Sequence, residues 1–530
     1  MLAGRWMEEN SAPTGVLMPI SRRTALEMLA ASSAMALQPL CKAGQLSPSN
    51  HGDKYEPQWE SLQQHACPEW YRDAKFGIYF HWGLYSVPAF GNEWYPHWMY
   101  LPGRPEYEHH LATYGSLDKF GYKDFAASFT AEHFDADSWV TLFKDSGARF
   151  VGPVAEHADG FSMWDSRINR WNAARMGPKR DIVGELERAV RKQGLKFYTS
   201  FHHQWLWGWY SSPVAEADIY KPEFADLYWA QKLPAGAQVP KDYSSERPGA
   251  FNYAHPDPAP STRFCELWRD KVREVVDRYH PDIIYFDTRS FIIPEKYRME
   301  MLAHYYNVSY KAGREVTITY KENDFAKGSG LLDFEAGQLA EKASFVWQTD
   351  DVMDWDSWGY LTKPNYKSAG RILHQLIDIV SKNGNMLLDV GPRPDGTIPE
   401  EVVSRLRTIG DWLKVNGEAI YGSRPAERFG EGPTKIKEGM YVADHHVDFT
   451  AQDLRFTTKG QAFYVHVMGA PGSEVRVTSL KRDTPLPFGA LRKAELLGGG
   501  ELRWEWAADG LVLQMPEKRP SDDALVIRLS

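Results

Sequence analysis

Three cysteines in 530 residues, Cys41, Cys67 and Cys265, are too few and too scattered for a disulfide framework or a structural zinc site. They read as small buried hydrophobes, with Cys67–Cys265 as the one bridge left open. No stretch reaches the roughly 20 apolar residues that a membrane-spanning helix needs. No long run of Lys or Arg exists and the net charge is −9, which argues against a nucleic-acid partner or an anionic membrane surface. Helical metal-ligand pairs and acidic ligand clusters are also missing, so a metal centre on His157, His202 and His203 is disfavoured and no cofactor is expected. Aromatic residues, by contrast, are plentiful: 20 Trp, 27 Tyr and 25 Phe. Part of that is core. The rest suits a sugar site, where the apolar face of a pyranose packs on an indole while its hydroxyls meet planar hydrogen-bonding groups.

The length exceeds one ordinary core, so a large barrel with a smaller module is the default. Residues 1–36 read as an address. Arg22 and Arg23 follow Ser21, a modest apolar stretch comes next, and Ala34-Met35-Ala36 is a small-x-small cleavage pattern. This resembles a twin-arginine export signal, with Met18 as an alternative start, and predicts a periplasmic or extracellular protein. Residues 37–54 read as a linker.

From Lys75 onward, short apolar runs alternate with helical segments. The strand candidates are Lys75–His81, Ala148–Glu156, Lys196–Phe201, Asp282–Asp287, Val316–Lys321, Ser344–Gln348 and Met386–Val390. Continuous apolar runs suit parallel strands buried on both faces. One helix is expected over Phe264–Tyr279, where Leu267, Trp268, Val272, Val275, Val276 and Tyr279 share a stripe, and another opens at Pro399. The pattern predicts a TIM-like (β/α)-barrel over residues 55–425. Polar groups end the runs: His81, Glu156 and His157, His202 and His203, Asp287, Lys321 and Glu322, Asp350 and Asp351. Barrel chemistry gathers at such strand ends. The irregular, aromatic segment Trp205–Ser261 is either a binding loop or a surface insertion. After Pro425 the runs become short and alternating, as in Ala462–Val467, Glu474–Thr478, Glu501–Trp506, Leu511–Met515 and Leu525–Leu529. Residues 426–530 therefore read as a small C-terminal antiparallel β-sandwich, a structural partner for the barrel or a carbohydrate binder.

Glycoside hydrolysis needs two carboxyl groups flanking one bond. Asp287 ends an apolar run where a barrel places catalytic groups, although a helix N-cap is the other reading of such an Asp. The order of motifs goes further. WYRDAKFGIYFHWGLYSVPAFGNEWY from Trp70 is followed by EHADGF (Glu156–Phe161), DIIYFD (Asp282–Asp287), DSWGY (Asp356–Tyr360), NGNMLLDVGPRPDGTIP (Asn383–Pro399) and NGEAIYGSRP (Asn416–Pro425). This series resembles glycoside hydrolase family 29, the α-L-fucosidases, over Trp70 to Pro425. The resemblance implies a barrel followed by a sandwich, retention of configuration, no metal, and a fucosylated oligosaccharide or glycoconjugate as substrate.

By position, Asp287 matches the family nucleophile. His81, Glu93, Trp94 and His157 match sugar-contacting residues. Tyr285 stands where the family usually has Trp. Ala158 replaces the second member of a His-His pair, which leaves that role vacant or shifts it to His202 or His203. Lys321 falls near a sugar-site Arg of many relatives and keeps the charge without the planar fork. Tyr198, on the Lys196–Phe201 run, is a further candidate for sugar contact. Glu335, in LLDFEAG, is the expected acid/base, and Glu322 is the runner-up because it sits nearer the strand end. The histidines and tryptophans also have a bland reading as core. Two other functions stay open: a barrel glycosidase with a different sugar specificity, and a non-catalytic carbohydrate-binding protein. Self-association into a homo-oligomer is also left open.

Overall fold

In a computed structural model, the described residues are 52–231, 259–441 and 448–530. The expected export signal, Cys41, the expected linker up to residue 51 and part of the Trp205–Ser261 segment lie outside them.

Eight parallel strands close a barrel: β1 (Phe76–Phe80), β2 (Phe150–Glu156), β3 (Lys196–Phe201), β4 (Ile283–Phe286), β5 (Thr317–Lys321), β6 (Leu331–Asp333), β7 (Trp347–Val352) and β8 (Gly384–Val390). β8 pairs with β1, Phe76 beside Met386 and Phe80 beside Val390. β1, β2, β4, β5 and β8 are buried throughout, which is why apolar runs mark them in the sequence. The crossover helices include α1 (Ala136–Asp145), α2 (Ile182–Lys192), α3 (Thr262–Tyr279), α4 (Glu295–Lys311), α5 (Ala369–Ser381) and α6 (Glu400–Asn416). α3 is capped by Ser261, whose hydroxyl accepts from the Phe264 amide at 3.2 Å, and it buries Trp268, Val272, Val275, Val276 and Tyr279. Pro399 stands at the N-cap of α6, one place before the helix it was expected to open.

Two strands depart from the sequence reading. β6 has only three residues, two of them partly exposed, and leaves no apolar run to detect. β7 begins at Trp347, later than the expected Ser344, and extends past Gln348 through Thr349, Asp350 and Asp351. These polar groups are buried because they find partners inside. Asp350 accepts the Tyr79 and Tyr285 hydroxyls at 2.9 and 3.0 Å, and Asp351 accepts the Lys367 ammonium at 2.6 Å.

Beyond the barrel lie two antiparallel sheets. The larger contains β9 (Arg424–Glu431), β10 (Leu454–Lys459), β11 (Ala462–Val467), β13 (Ala494–Leu496), β14 (Gly500–Glu501) and β17 (Leu525–Leu529). The smaller contains β12 (Glu474–Val477), β15 (Trp504–Ala507) and β16 (Gly510–Gln514). The run Glu501–Trp506 thus splits between two strands in different sheets. Phe456, Val465 and Ile527 of one sheet share a core with Val475, Leu511 and Leu513 of the other, which makes a sandwich. A buried ion pair ties barrel to sandwich: Asp378 of α5 accepts Lys382 at 2.8 Å and Arg455 of β10 at 2.5 Å. Cys67 and Cys265 are free thiols. Among the described residues, no helix is long and apolar enough to cross a membrane.

Candidate active site

A cavity of about 210 Å³ opens at the C-terminal ends of the barrel strands. His81, His157, His202 and Asp287 each stand directly after β1, β2, β3 and β4, while Lys321 closes β5. Glu335 follows β6 by two residues, and Asp350 projects from β7. All seven line the cavity, as do Glu93, Trp94, Trp205, Trp358 and Tyr441. Of the residues expected from sequence, eight meet here: His81, Glu93, Trp94, His157, His202, Asp287, Lys321 and Glu335.

Four expected residues do not line it. Glu322 is exposed and has φ +50, so the chain turns away immediately after β5 and carries this side chain off the cavity. His203 is buried against α3, stacked on Trp268 with its Nε2 3.1 Å from the Trp268 carbonyl. His202 follows β3 directly, whereas His203 opens a short 3-10 turn over His203–Leu206 that carries its ring onto α3. Tyr198 and Tyr285 lie one step lower, in the aromatic packing beneath the cavity. Tyr285 supports the cavity from below rather than lining it. Its hydroxyl holds Asp350, and its ring faces the Lys321 ammonium at 5.4 Å.

The electrostatic centre is Lys321, 1% exposed at its side chain. Its ammonium donates to Asp287 Oδ1 at 2.8 Å and to Glu335 Oε2, and it stands 3.7 Å from Asp350. Burial works against that charge, but the three carboxyls override it and hold the lysine well above its usual pKa. Trp205 donates its indole N–H to Asp287 Oδ2 at 2.7 Å, and His202 Nδ1 is 3.6 Å from the same oxygen. Burial alone would raise the Asp287 carboxyl. The Lys321 charge and the His202 contact outweigh it and keep Asp287 well below the usual carboxylate range. Glu335 goes the other way. Burial pushes it up to about 7, opposed by Lys321 and assisted by the charges of Asp287 and Asp350. One carboxyl is thus ionised and its neighbour holds a proton near neutrality, the division of an acid–base pair.

Spacing follows from the shared lysine. Two hydrogen bonds on one nitrogen place their acceptor oxygens at most about 6 Å apart. That fits the close pair of a retaining glycosidase, roughly 5–5.5 Å, better than the inverting range of roughly 6.5–9.5 Å.

Beside Asp287, three imidazoles converge. His81, His157 and His202 have ring centroids 5.0–5.3 Å apart and each offers a ligand atom within 4.8 Å of the others. Asp389 of β8 fixes His81, accepting from its backbone amide at 3.0 Å and pairing with Nδ1 at 2.9 Å, so Nε2 is left for the cavity. Burial first, and then the neighbouring imidazoles, keep His81 and His157 well below the usual histidine range. Neutral rings of this kind can exchange hydrogen bonds with hydroxyls, and they are also the residues here that could hold a cation. Glu93 anchors the adjoining loop, accepting Ser357 Oγ at 3.1 Å and the Trp358 amide at 3.0 Å.

Trp205, Asp389 and Tyr441 were missed as site residues. Asp389 lies inside the NGNMLLDVGP motif and Trp205 follows His202 by three residues, so both carried a signal. Tyr441 lies 106 positions from Glu335 and carried none.

Comparison with known proteins agrees with this geometry. A family model described as alpha-L-fucosidase matches residues 43–418. The chain is 29% identical to human plasma alpha-L-fucosidase over 487 residues, covering 89% of the chain and 90% of that protein. It is 30% identical to rat tissue alpha-L-fucosidase over 494 residues, covering 90% and 91%. Among solved structures, a Thermotoga maritima alpha-fucosidase in complex with fucose aligns with a TM-score of 0.68 at 28% identity, covering 90% of this chain and 100% of that one.

Proposed function

The chain belongs to the α-L-fucosidase family of retaining glycoside hydrolases, and we propose that Asp287 and Glu335 carry its double displacement on terminal α-L-fucosyl residues. The observation behind this is the single ammonium of Lys321, bonded to two carboxyls whose proton affinities are driven apart.

Asp287 attacks the anomeric carbon as the bond to the leaving oxygen breaks. Glu335 gives its proton to that oxygen. The product is a covalent glycosyl-enzyme with Glu335 ionised. Water then enters, loses a proton to Glu335, and attacks the same carbon, and Asp287 departs as a carboxylate. Lys321 stays charged throughout and stabilises whichever carboxyl is negative. Trp205 and His202 keep Asp287 ionised and oriented before attack.

His81, His157 and His202 serve as partners for the sugar hydroxyls. Trp94 and Trp358 supply apolar faces for the ring and its methyl. His202 takes over the contact that Ala158 gives up, since Ala158 is buried and outside the cavity. A screen of aryl α-L-fucosides against galactose-type analogues tests the sugar. Preference for the fucoside supports the reading, and turnover of only another sugar would overturn it. We also propose export through Arg22 and Arg23; replacing both with lysine should retain the protein in the cytoplasm.

A further inference from the structure

The sandwich reaches the catalytic site through one arm, residues 432–441, which leaves β9. Gly439 pairs antiparallel with Gln338, amide to carbonyl in both directions, at 3.0 and 3.1 Å. The Tyr441 amide then donates to the Glu335 carbonyl at 2.8 Å. Gly337 permits the approach, because a Cβ there would meet the Gly439 carbonyl oxygen at 2.8 Å. Three backbone hydrogen bonds therefore fix the arm against the loop that carries Glu335. From that position the Tyr441 hydroxyl donates to Glu335 Oε2 at 2.8 Å. Oε2 already accepts from Lys321. Glu335 Oε1 takes no hydrogen bond among the described residues.

We infer that Tyr441 is a positioning residue for proton transfer: with Lys321 it occupies Oε2, so the proton that Glu335 delivers sits on Oε1. The inference rests on Glu335 being the acid/base. A protonated carboxyl accepts hydrogen bonds best at its carbonyl oxygen. Two donors on Oε2 fix carbonyl character there and leave Oε1 as the hydroxyl facing the leaving group. After transfer, the same two donors stabilise the carboxylate that must next take a proton from water. The charged or titratable groups facing Glu335 are Lys321 on β5, Asp287 after β4, Asp350 on β7 and Tyr441 on the arm. Of these, Lys321 and Tyr441 favour the ionised form, while Asp287 and Asp350 oppose it.

Tyr441→Phe isolates the hydroxyl, since the ring and the arm's backbone bonds remain. Losing a donor to the carboxylate raises the acid's pKa, so the basic limb of kcat/KM should move up by about one pH unit. Below that limb, kcat for fucosides with poor leaving groups should fall roughly threefold to tenfold, with KM and activated aryl fucosides little changed. A role confined to folding would lower all substrates alike and leave the limb in place, and that outcome overturns the inference. Glu335→Ala decides the underlying reading separately. If azide fails to restore that variant, the acid/base assignment is wrong. If azide restores it while Tyr441→Phe keeps the wild-type pH profile and leaving-group dependence, only the role of Tyr441 is wrong.

Discussion

The two halves of the cavity are built differently. On the β1–β4 side, His81, His157, His202 and Asp287 each stand one residue beyond a strand, and rigid partners hold two of them: Asp389 for His81 and Trp205 for Asp287. On the β5–β7 side, Lys321 ends the buried strand β5. Glu335 follows a three-residue strand and takes its second support from the sandwich. The difference separates two tasks. Binding a fixed sugar and aligning a nucleophile calls for groups that do not move. An acid/base changes charge twice per turnover, and donors on one of its oxygens serve both states.

The largest test falls on the rigid side. Asp287→Ala should lower hydrolysis of an aryl α-L-fucoside by about 10⁴-fold or more, because no covalent intermediate can form. Near-normal turnover would remove Asp287 from the mechanism and with it the distinction between the halves. Glu335→Ala should cost about 10²–10⁴-fold on substrates with poor leaving groups and far less on activated ones, with azide restoring rate. Glu322→Ala should match the wild type, since that side chain is exposed and outside the cavity. The reverse result would exchange the two glutamates.

How far the sequence could be read follows the same division. His81, His157 and Asp287 directly follow buried strands, so the apolar runs mark their places, and motif order supplies their roles. β6 is too short for periodicity, and Glu335 was reached only through resemblance. Tyr441 lies in a different module, and no local pattern ties it to Glu335. Tyr285 illustrates another limit. Its place two residues before Asp287 suggests a sugar contact, but it lies beneath the cavity and its hydroxyl holds Asp350, a contact between strands that a linear sequence does not display.

Lys321 joins the halves, so its removal should be felt on both. Lys321→Met deletes the charge that favours the ionised form of Asp287 and of Glu335. Both carboxyls should then bind protons more tightly. The acidic limb of kcat/KM, governed by Asp287, and the basic limb, governed by Glu335, should each move to higher pH. In the wild type that basic limb is expected at about 7, with activity falling above it as Glu335 loses its proton. If only one limb moves in the variant, the lysine serves one half and the cavity has no shared centre.

The smallest effect tests the rigid half at its finest grain, two adjacent histidines. His202 faces the cavity and Asp287, while His203 stacks on Trp268. His202→Ala should raise KM for fucosides roughly tenfold, the cost of one lost hydrogen bond to a buried polar group, and should also move the acidic limb upward because Asp287 loses a supporting contact. His203→Ala should leave KM and the pH profile alone and instead reduce stability by about 2 kcal/mol through lost packing. Kinetics and thermal unfolding of the pair read the two effects independently. Were His203→Ala to raise KM as much as His202→Ala, the turn that opens after β3 would not be what selects the sugar-facing residue.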